Sequence, residues 1–288
     1  MLVVSKKYSR VYGLISQVKL VFAVSFVSLL LMNGTASAQI ESELIPFWDD
    51  REDSSRIVVN HKPWQSLLDA YLDDTHISGI SRFDYYGMSE VDQQRLKDYL
   101  DYLQLLEPRQ LNEAEQKAYW INLFNATLVS LIVTNDIKVS SVRSIRSGAF
   151  TPFPWTIKSL EISQQRITLD DIVNGIIRPI YKDRRMHYAL HKAAIGSPNL
   201  QKQAFTGENV EQLLVKAEKE YVNHQRGLRR TGSDVVLSSI YRDYAADFAN
   251  NRAGIISYLS TILDEPSANN LDQVDEINFN YDWSINTP

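Results

Sequence analysis

The longest apolar stretch after residue 40 predicts a central helix. Residues 115–134 (EQKAYWINLFNATLVSLIVT) are apolar on nearly every side, as in a helix surrounded by protein. Asn112 precedes Glu115 by three residues, the spacing of a capping box. Asn122 and Asn125 are the polar exceptions and lie on one helical face. A buried asparagine needs hydrogen-bond partners, so we expect both to bind the backbone of an adjacent loop, with substrate contact as the alternative.

Weaker periodic patterns predict further helices and a few short strands. Pro179 is expected to end the helix that begins near residue 170. Period-two alternation on either side of a polar pair predicts a hairpin near residue 164. The pattern indicates an α+β fold, a predominantly α-helical single domain with a small antiparallel β-sheet. The other predicted helices cover residues 63–72, 89–106, 170–178, 185–194, 208–224, 240–248 and 252–263, and the predicted strands cover 156–161, 166–169, 235–238 and 277–281.

The first 38 residues have the organisation of a signal peptide. A basic region precedes the apolar run 20–32, and Ala36-Ser37-Ala38 fits the small-residue rule for cleavage after Ala38. An uncleaved anchor is the alternative. Residues 39–62 are polar and irregular and are expected to form a tether, followed by a single globular domain over 63–288. We therefore expect a periplasmic or secreted protein of a Gram-negative envelope.

Charge and composition exclude several function classes. Without the predicted signal peptide the chain has 26 basic and 35 acidic residues, a net charge of −9. This balance provides no excess of positive charge that would attract nucleic acid or an anionic membrane surface. After the signal peptide no further apolar run is long enough for a stable membrane span. The chain has no cysteine, which excludes thiol catalysis. It also has no phosphate-binding glycine loop, and no cofactor is expected.

Two histidines raise the question of a metal site. His187 and His191 are four residues apart, so one face of a helix would present both rings, as at a zinc site. A third ligand would have to come from Asp170, Asp171 or Asp183, and there is no HExxH pattern. We expect no metal site.

Other polar residues near these histidines have two interpretations each. Lys192 lies among small apolar residues, so it either extends its head to water or serves a cleft as an anion ligand or base. Ser197 would be a nucleophile only with a base in reach, and the sequence lacks a GxSxG elbow, so a turn residue is expected. The aromatic cluster around Asp282 and Trp283 predicts a C-terminus that docks on the body.

Several sequence blocks resemble one family. The blocks are SRFDYYGMSEVD at 81–92, EQKAYWINLFNA at 115–126, LDDIVNGIIRPIYKDRRMHYAL at 169–190, AAIGSPNLQKQAFT at 193–206, LSSIYRDYAADF at 237–248 and YDWSIN at 281–286. Through these blocks, of which the WINLFN and YDWSIN segments are the most specific, the chain is similar to the secreted bacterial form of the family of domain of unknown function 547. The resemblance implies a single α-rich domain without an assigned activity.

This chain departs from the family pattern at four positions. The resemblance implies Glu-His where the chain has Val173 and Asn174, and cysteines where it has Lys192 and Ser197. Glutamate, histidine and cysteine build thiol active sites and metal sites. The positions of Arg185 and His187 still match the family.

Two function classes follow from these departures. In the first, the family site has degenerated and the protein binds an unknown envelope ligand or protein, or acts as a scaffold, as a pseudoenzyme does. In the second, the chain is a hydrolase or transferase that acts on an envelope polymer. His187 would then be the general base and Arg185 would hold an anionic group, with Asn122, Asn125 and Asp282 as further candidates. We favour the first class, because four reactive side chains that are replaced together would have worked as a unit.

Overall fold

The computed structural model describes residues 39–135, 138–145, 154–264 and 271–288, and these belong to one compact unit. The predicted signal peptide lies outside the described residues. The helices are α1 Lys62–Tyr71, α2 Glu90–Leu105, α3 Glu113–Val133, a π-helix Asp171–Ile177 that continues into α4 Arg178–Tyr181, α5 Met186–Ala189, α6 Val210–Val222, α7 Ile240–Asp243, α8 Ala245–Phe248 and α9 Arg252–Ile262. The strands are β1 Leu72–Asp73, β2 Arg82–Phe83, β3 Leu160–Ile162, β4 Gln165–Ile167, β5 Leu228–Thr231, β6 Asp234–Ser238 and β7 Ile277–Asn280.

Helix α3 is the centre of the core, as its apolar sequence predicts. Every residue from Glu115 to Val129 is buried. The Asn112 side chain accepts a hydrogen bond from the Glu115 N–H at 3.1 Å, which confirms the predicted cap. Trp120 is fully buried against Trp48 and Tyr119, with ring centroids 5.3 and 5.0 Å away. A helix buried on all sides contacts several elements and fixes their positions.

The sheets are small, and the predicted fold class is confirmed. Strands β1 and β2 form one antiparallel pair, and β3 and β4 form the predicted hairpin. The turn of that hairpin is Ser163-Gln164, with φ of 48° and 63°, as two-residue hairpins require. Strands β5, β6 and β7 form a mixed sheet in which β6 and β7 are parallel. Within the described ranges no helix combines the length and apolar character needed to cross a membrane.

Pro179 does not end its helix, contrary to the prediction. The turns before it are widened into a π-helix, and the chain stays helical to Tyr181. Proline has no N–H, and the change from π- to α-helical hydrogen bonding at this point leaves one more carbonyl without a partner, so the carbonyls of both Asn174 and Gly175 are unpaired inside the helix. Backbone N–H groups of Glu43 and Ile45 bind these two carbonyls at 3.1 and 2.9 Å. The hydrogen bonds come from outside the helix, which the local sequence pattern does not reveal.

Residues 39–62 lie against the body, unlike the expected tether. Besides the contacts with the π-helix, the Ile40 N–H donates to the Asp243 carbonyl at 2.8 Å. Trp48, Val59 and His61 are buried. A few buried apolar side chains and backbone hydrogen bonds to unpaired carbonyls are enough to hold this mostly polar, irregular segment against the body.

The predicted helix 185–194 is reduced to the single turn of α5. The Asn125 side chain donates to the Ala189 carbonyl and accepts from the His191 N–H, both at 2.9 Å. These contacts replace the hydrogen bonds that would continue the helix. Leu190 is extended and Ala193 has a φ of 53°. His187 and His191 therefore do not share a helical face, which removes the basis of the two-histidine metal site.

The C-terminal segment docks on the body, as predicted. The N–H groups of Ile195 and Gly196 donate to the carbonyls of Ser284 and Asp282, both at 2.8 Å. An alanine Cβ at Gly196 would lie 2.6 Å from the Asp282 nitrogen, so only glycine permits this approach.

Candidate functional site

A buried ion-pair cluster lies between α4, α5 and α8. The His187 Nε2 is 2.7 Å from the Asp247 Oδ2. Arg178 donates to both oxygens of the same carboxylate, from Nε at 2.5 Å and from Nη2 at 3.1 Å. The side chains of Arg178 and His187 are 3% and 6% exposed and that of Asp247 is 21% exposed, so only the carboxylate reaches the surface. A buried ion pair of this kind needs both partners, because removal of one leaves an unpaired charge.

The cluster sets the protonation state of its members. Burial is the main cause that lowers the pKa of His187, and the positive charges of Arg178 and Lys192 lower it further. The hydrogen bond to Asp247 and its negative charge oppose this shift without cancelling it. Burial alone would raise the pKa of Asp247, but the hydrogen bonds from His187 and Arg178 outweigh it and lower that pKa to about 2. An ionised carboxylate only accepts, so the Nε2 of a neutral His187 carries the proton and Nδ1 has the free lone pair.

Tyr244 connects this cluster to Lys192. The ring of Tyr244 lies against the His187 ring, with centroids 4.4 Å apart. The guanidinium of Arg178 and the ammonium of Lys192 lie 4.9 and 4.8 Å from the ring centroid. Lys192 Nζ also donates to the Tyr244 hydroxyl at 3.0 Å. The aromatic face thus offsets two positive charges beside the neutral imidazole.

Three of the four positions at which the chain departs from the family pattern are connected to this cluster by hydrogen bonds. Asn174 Oδ1 accepts from Arg178 Nη1 at 2.9 Å, and the Lys192 N–H donates to Ser197 Oγ at 2.7 Å. Val173, the fourth position, precedes Asn174 and is buried in the core. We refer to the connected residues as the His187 network, which comprises Asn174, Arg178, His187, Lys192, Ser197, Tyr244 and Asp247.

Two cavities lie beside the exposed edge of the network. One of about 250 Å³ is lined by Arg178, Lys182, Asp183 and Asp247. The other, of about 500 Å³, also includes Lys182, Asp183 and Asp247 and extends to Arg184 and Tyr258. Asp247 is therefore the member of the network that links its buried side to both cavities. His187, Lys192 and Ser197 line neither of them.

Arg185, a predicted site residue, lies outside the network. Its guanidinium binds the Asp183 carboxylate at 2.5 Å and the Glu211 carboxylate at 2.7 Å. The hydrogen bond that Arg185 donates to Asp183 is the main reason that the pKa of Arg185 is raised, and the bond to Glu211 adds to it. Two acids occupy the Nε and Nη2 donors of the guanidinium that the enzyme hypothesis assigns to an anionic substrate group, although Arg185 also lines the cavity of about 500 Å³.

The other predicted candidates have structural contacts. Asn122 donates to the Phe205 carbonyl at 2.7 Å and accepts from the Phe205 N–H at 3.1 Å. Asn125 likewise binds one carbonyl, that of Ala189, and one N–H, that of His191. The prediction that both asparagines bind adjacent loops is confirmed. Asp282 Oδ1 accepts from the Ser284 N–H at 2.8 Å within its own turn.

The described residues contain no group of three or more histidine, cysteine, aspartate or glutamate side chains that could hold a metal ion. His191 is buried, and its Nδ1 lies 2.7 Å from the Pro198 carbonyl, to which it donates. Two of the three aspartates considered as third ligands have other contacts: Asp171 accepts from the Thr168 N–H at 2.8 Å, and Asp183 binds Arg185.

Arg178, Tyr244 and Asp247 were not among the predicted site residues. Each lies in a sequence block that carries the family resemblance, at 169–190 or 237–248. Arg178 precedes a proline in an apolar run, where an unpaired arginine would be costly, and this is a signal that a buried acid is nearby. The sequence could not indicate which of the many acids it was.

Comparison with known proteins returns one match. No curated protein and no solved structure matches the chain. The model of the family described as protein of unknown function, DUF547, matches residues 108–222. That range includes most of the His187 network but ends before Tyr244 and Asp247. Over that range the chain is similar to the DUF547 family, whose function is uncharacterised.

Proposed function

We propose that this chain is an exported protein of the cell envelope that binds a ligand without turning it over, through a disabled form of the family site. The convergence of Asn174, His187, Lys192 and Ser197 on one network carries the proposal. Side chains from separate parts of the sequence that meet in this way are expected if the family positions once worked as one site.

The contacts of the replaced side chains favour binding over catalysis. Ser197 is fully buried and its Oγ accepts the Lys192 N–H, so it is not presented to a substrate. The Lys192 ammonium is held on Tyr244. Nucleophilic catalysis needs a nucleophile and a base within hydrogen-bond reach of each other. His187 and Ser197 are joined only through intervening residues.

The enzyme alternative rests on one observation, the His187–Asp247 pair. A carboxylate that orients a neutral imidazole is the arrangement of a general base, with Nδ1 as the proton acceptor. A hydrolase or transferase of an envelope polymer would use this base on a water or hydroxyl nucleophile. The ring lies behind Asp247 and lines neither cavity, which is why binding is the better supported function.

The cavities beside Asp247 are the proposed place of binding, and Lys182 offers a test. Lys182 is exposed, lines both cavities and has a φ of 50°. Asparagine tolerates this backbone conformation, so Lys182→Asn removes the charge without strain. We expect it to reduce co-sedimentation of the full chain with isolated peptidoglycan or lipopolysaccharide by roughly tenfold, as for loss of one charge-assisted hydrogen bond.

The exposed Lys158 provides the matched control, because Lys158→Asn removes the same charge away from the cavities. If Lys182→Asn and Lys158→Asn co-sediment with the polymers to the same extent, the proposed place of binding is contradicted. Export is tested separately, by sequencing the N-terminus of the protein recovered from the envelope fraction. The proposal expects Gln39, and recovery only in the cytoplasm would overturn it.

A further inference from the structure

A third, smaller cavity is lined by residues of the three-stranded sheet and shares no lining residue with the cavities at Asp247. Its volume is about 70 Å³. Its lining combines Gly196, the two arginines Arg226 and Arg229, and the C-terminal pair Tyr281 and Asp282. The conspicuous YDWSIN block therefore contributes to a cavity as well as to docking of the C-terminus.

Arg226 has hydrogen-bond donors without acceptors at this cavity. Its Nη2 donates to Asn199 Oδ1 at 2.7 Å. Its Nε and Nη1 are buried, and neither has a hydrogen-bond partner among the described residues. The ring of Tyr221 lies 5.4 Å from the guanidinium carbon and offers only a weak aromatic contact. An ionised group with unsatisfied donors is unfavourable, so Arg226 lacks an acceptor, most simply one with negative charge. Nε and Nη1 have almost no accessible surface, so an anion in the cavity reaches them only if the side chain turns towards it.

The surrounding charges do not supply this acceptor. Burial lowers the pKa of Arg226 to about 10, and Arg82 contributes in the same direction. Glu220, which opposes this shift, accepts a hydrogen bond from Gln201 at 3.1 Å. Asp282 also lines the cavity, with its Oδ1 bound to the Ser284 N–H.

Arg229 adds a second guanidinium to the lining. It lies on β5, and its Nη1 donates to the Thr231 hydroxyl at 3.2 Å. In the described part of the chain it forms no salt bridge with an acid. Two arginines that share a cavity and lack an acidic partner form a recognition site for carboxylate or phosphate oxygens.

We propose that this cavity is an anion site that binds one carboxylate or phosphate group between Arg226 and Arg229. The small volume fits a single such group and excludes a large ligand. The site is independent of the proposed function at the His187 network. An end group of a larger molecule or a free anion would supply the same oxygens.

Arg229→Ala tests the proposal, with Arg230→Ala as the matched control. Neighbouring residues of a strand point to opposite faces, so only Arg229 lines the cavity. The full chain is titrated calorimetrically with sodium phosphate and with sodium acetate, at ionic strength held constant with sodium chloride. We expect Arg229→Ala to weaken binding of the preferred anion about tenfold and Arg230→Ala to leave it within about twofold.

Arg226→Gln provides a second variant, which keeps a donor and removes the charge, and we expect it to abolish binding. Binding of acetate alone would assign the site to carboxylates, and binding of phosphate alone to phosphate groups. Absence of binding by either anion would overturn the proposal. Equal losses in Arg229→Ala and Arg230→Ala would also overturn it, because they would indicate screening of the sheet surface as a whole.

Discussion

Three buried histidines have different partners and therefore different consequences. His187 is bound to Asp247, whereas His191 is bound to a backbone carbonyl and His61 to the Tyr99 hydroxyl at 2.7 Å. Burial lowers the pKa of both His61 and His191 to about 4. These two rings are best placed to make stability depend on pH, because no carboxylate offsets their desolvation.

We predict that stability falls as the pH decreases from 7 to 5. Below about 6.5 the unfolded chain protonates His191, while the native state resists protonation until the pH approaches 4. Stability is therefore present above the unfolded pKa and lost as the pH falls towards the folded one. His191 should account for a loss of about 2 kcal/mol between pH 7 and pH 5. Urea unfolding at the two pH values measures it.

His191→Asn isolates this contribution, since asparagine does not titrate and can still donate to the Pro198 carbonyl. The variant should lose about 2 kcal/mol less than the natural chain over the same interval. The exposed His76 gives the control His76→Gln, which should show the same change in the free energy of unfolding between pH 7 and pH 5 as the natural chain. If His191→Asn loses as much stability between pH 7 and pH 5 as the natural chain, the His191 ring is not the group that titrates.

At the scale of elements, central features could be predicted from sequence and the junctions around the site could not. The cap and burial of α3 follow from local patterns, and so does the hairpin of β3 and β4. The extent of α5 depends instead on Asn125, more than sixty residues away in sequence. Continuation of the helix through Pro179 likewise depends on Glu43 and Ile45. Periodicity describes neighbours in the chain and contains no information about such distant partners.

We predict that Asn125→Ala destabilises the protein by about 2–4 kcal/mol, because it leaves the Ala189 carbonyl and the His191 N–H without their partner. Chemical unfolding measures the change. Ser130→Ala, on the same helix but only half-buried, is the control and should change stability by less than about 1 kcal/mol. A similar effect of both variants would contradict the role assigned to Asn125 in holding the segment of α5 and His191.

At the scale of the whole molecule, the ion pairs of the site join three separate parts of the chain, the first of which is the continuous helix formed by the π-helix and α4. The π-helix contributes Asn174 and α4 contributes Arg178, while His187 lies on α5 and Asp247 on α8. The sequence allowed the replaced positions to be identified through the family resemblance. It did not allow the connecting residues to be identified, because an ion pair between Arg178 and Asp247 spans 69 residues. The three-dimensional arrangement is needed to relate the replaced positions to one another and to the cavities.

Binding of an envelope ligand without turnover is tested by analysis of reaction products. The full chain is incubated with isolated envelope polymers, and soluble fragments are quantified by chromatography and mass spectrometry. His187→Ala and His187→Gln are treated in parallel after their folding is verified by circular dichroism. The account predicts that the natural chain releases no more fragments than a sample without protein. Fragments that are released by the natural chain and absent in both folded His187 variants would contradict it and establish the His187–Asp247 pair as catalytic.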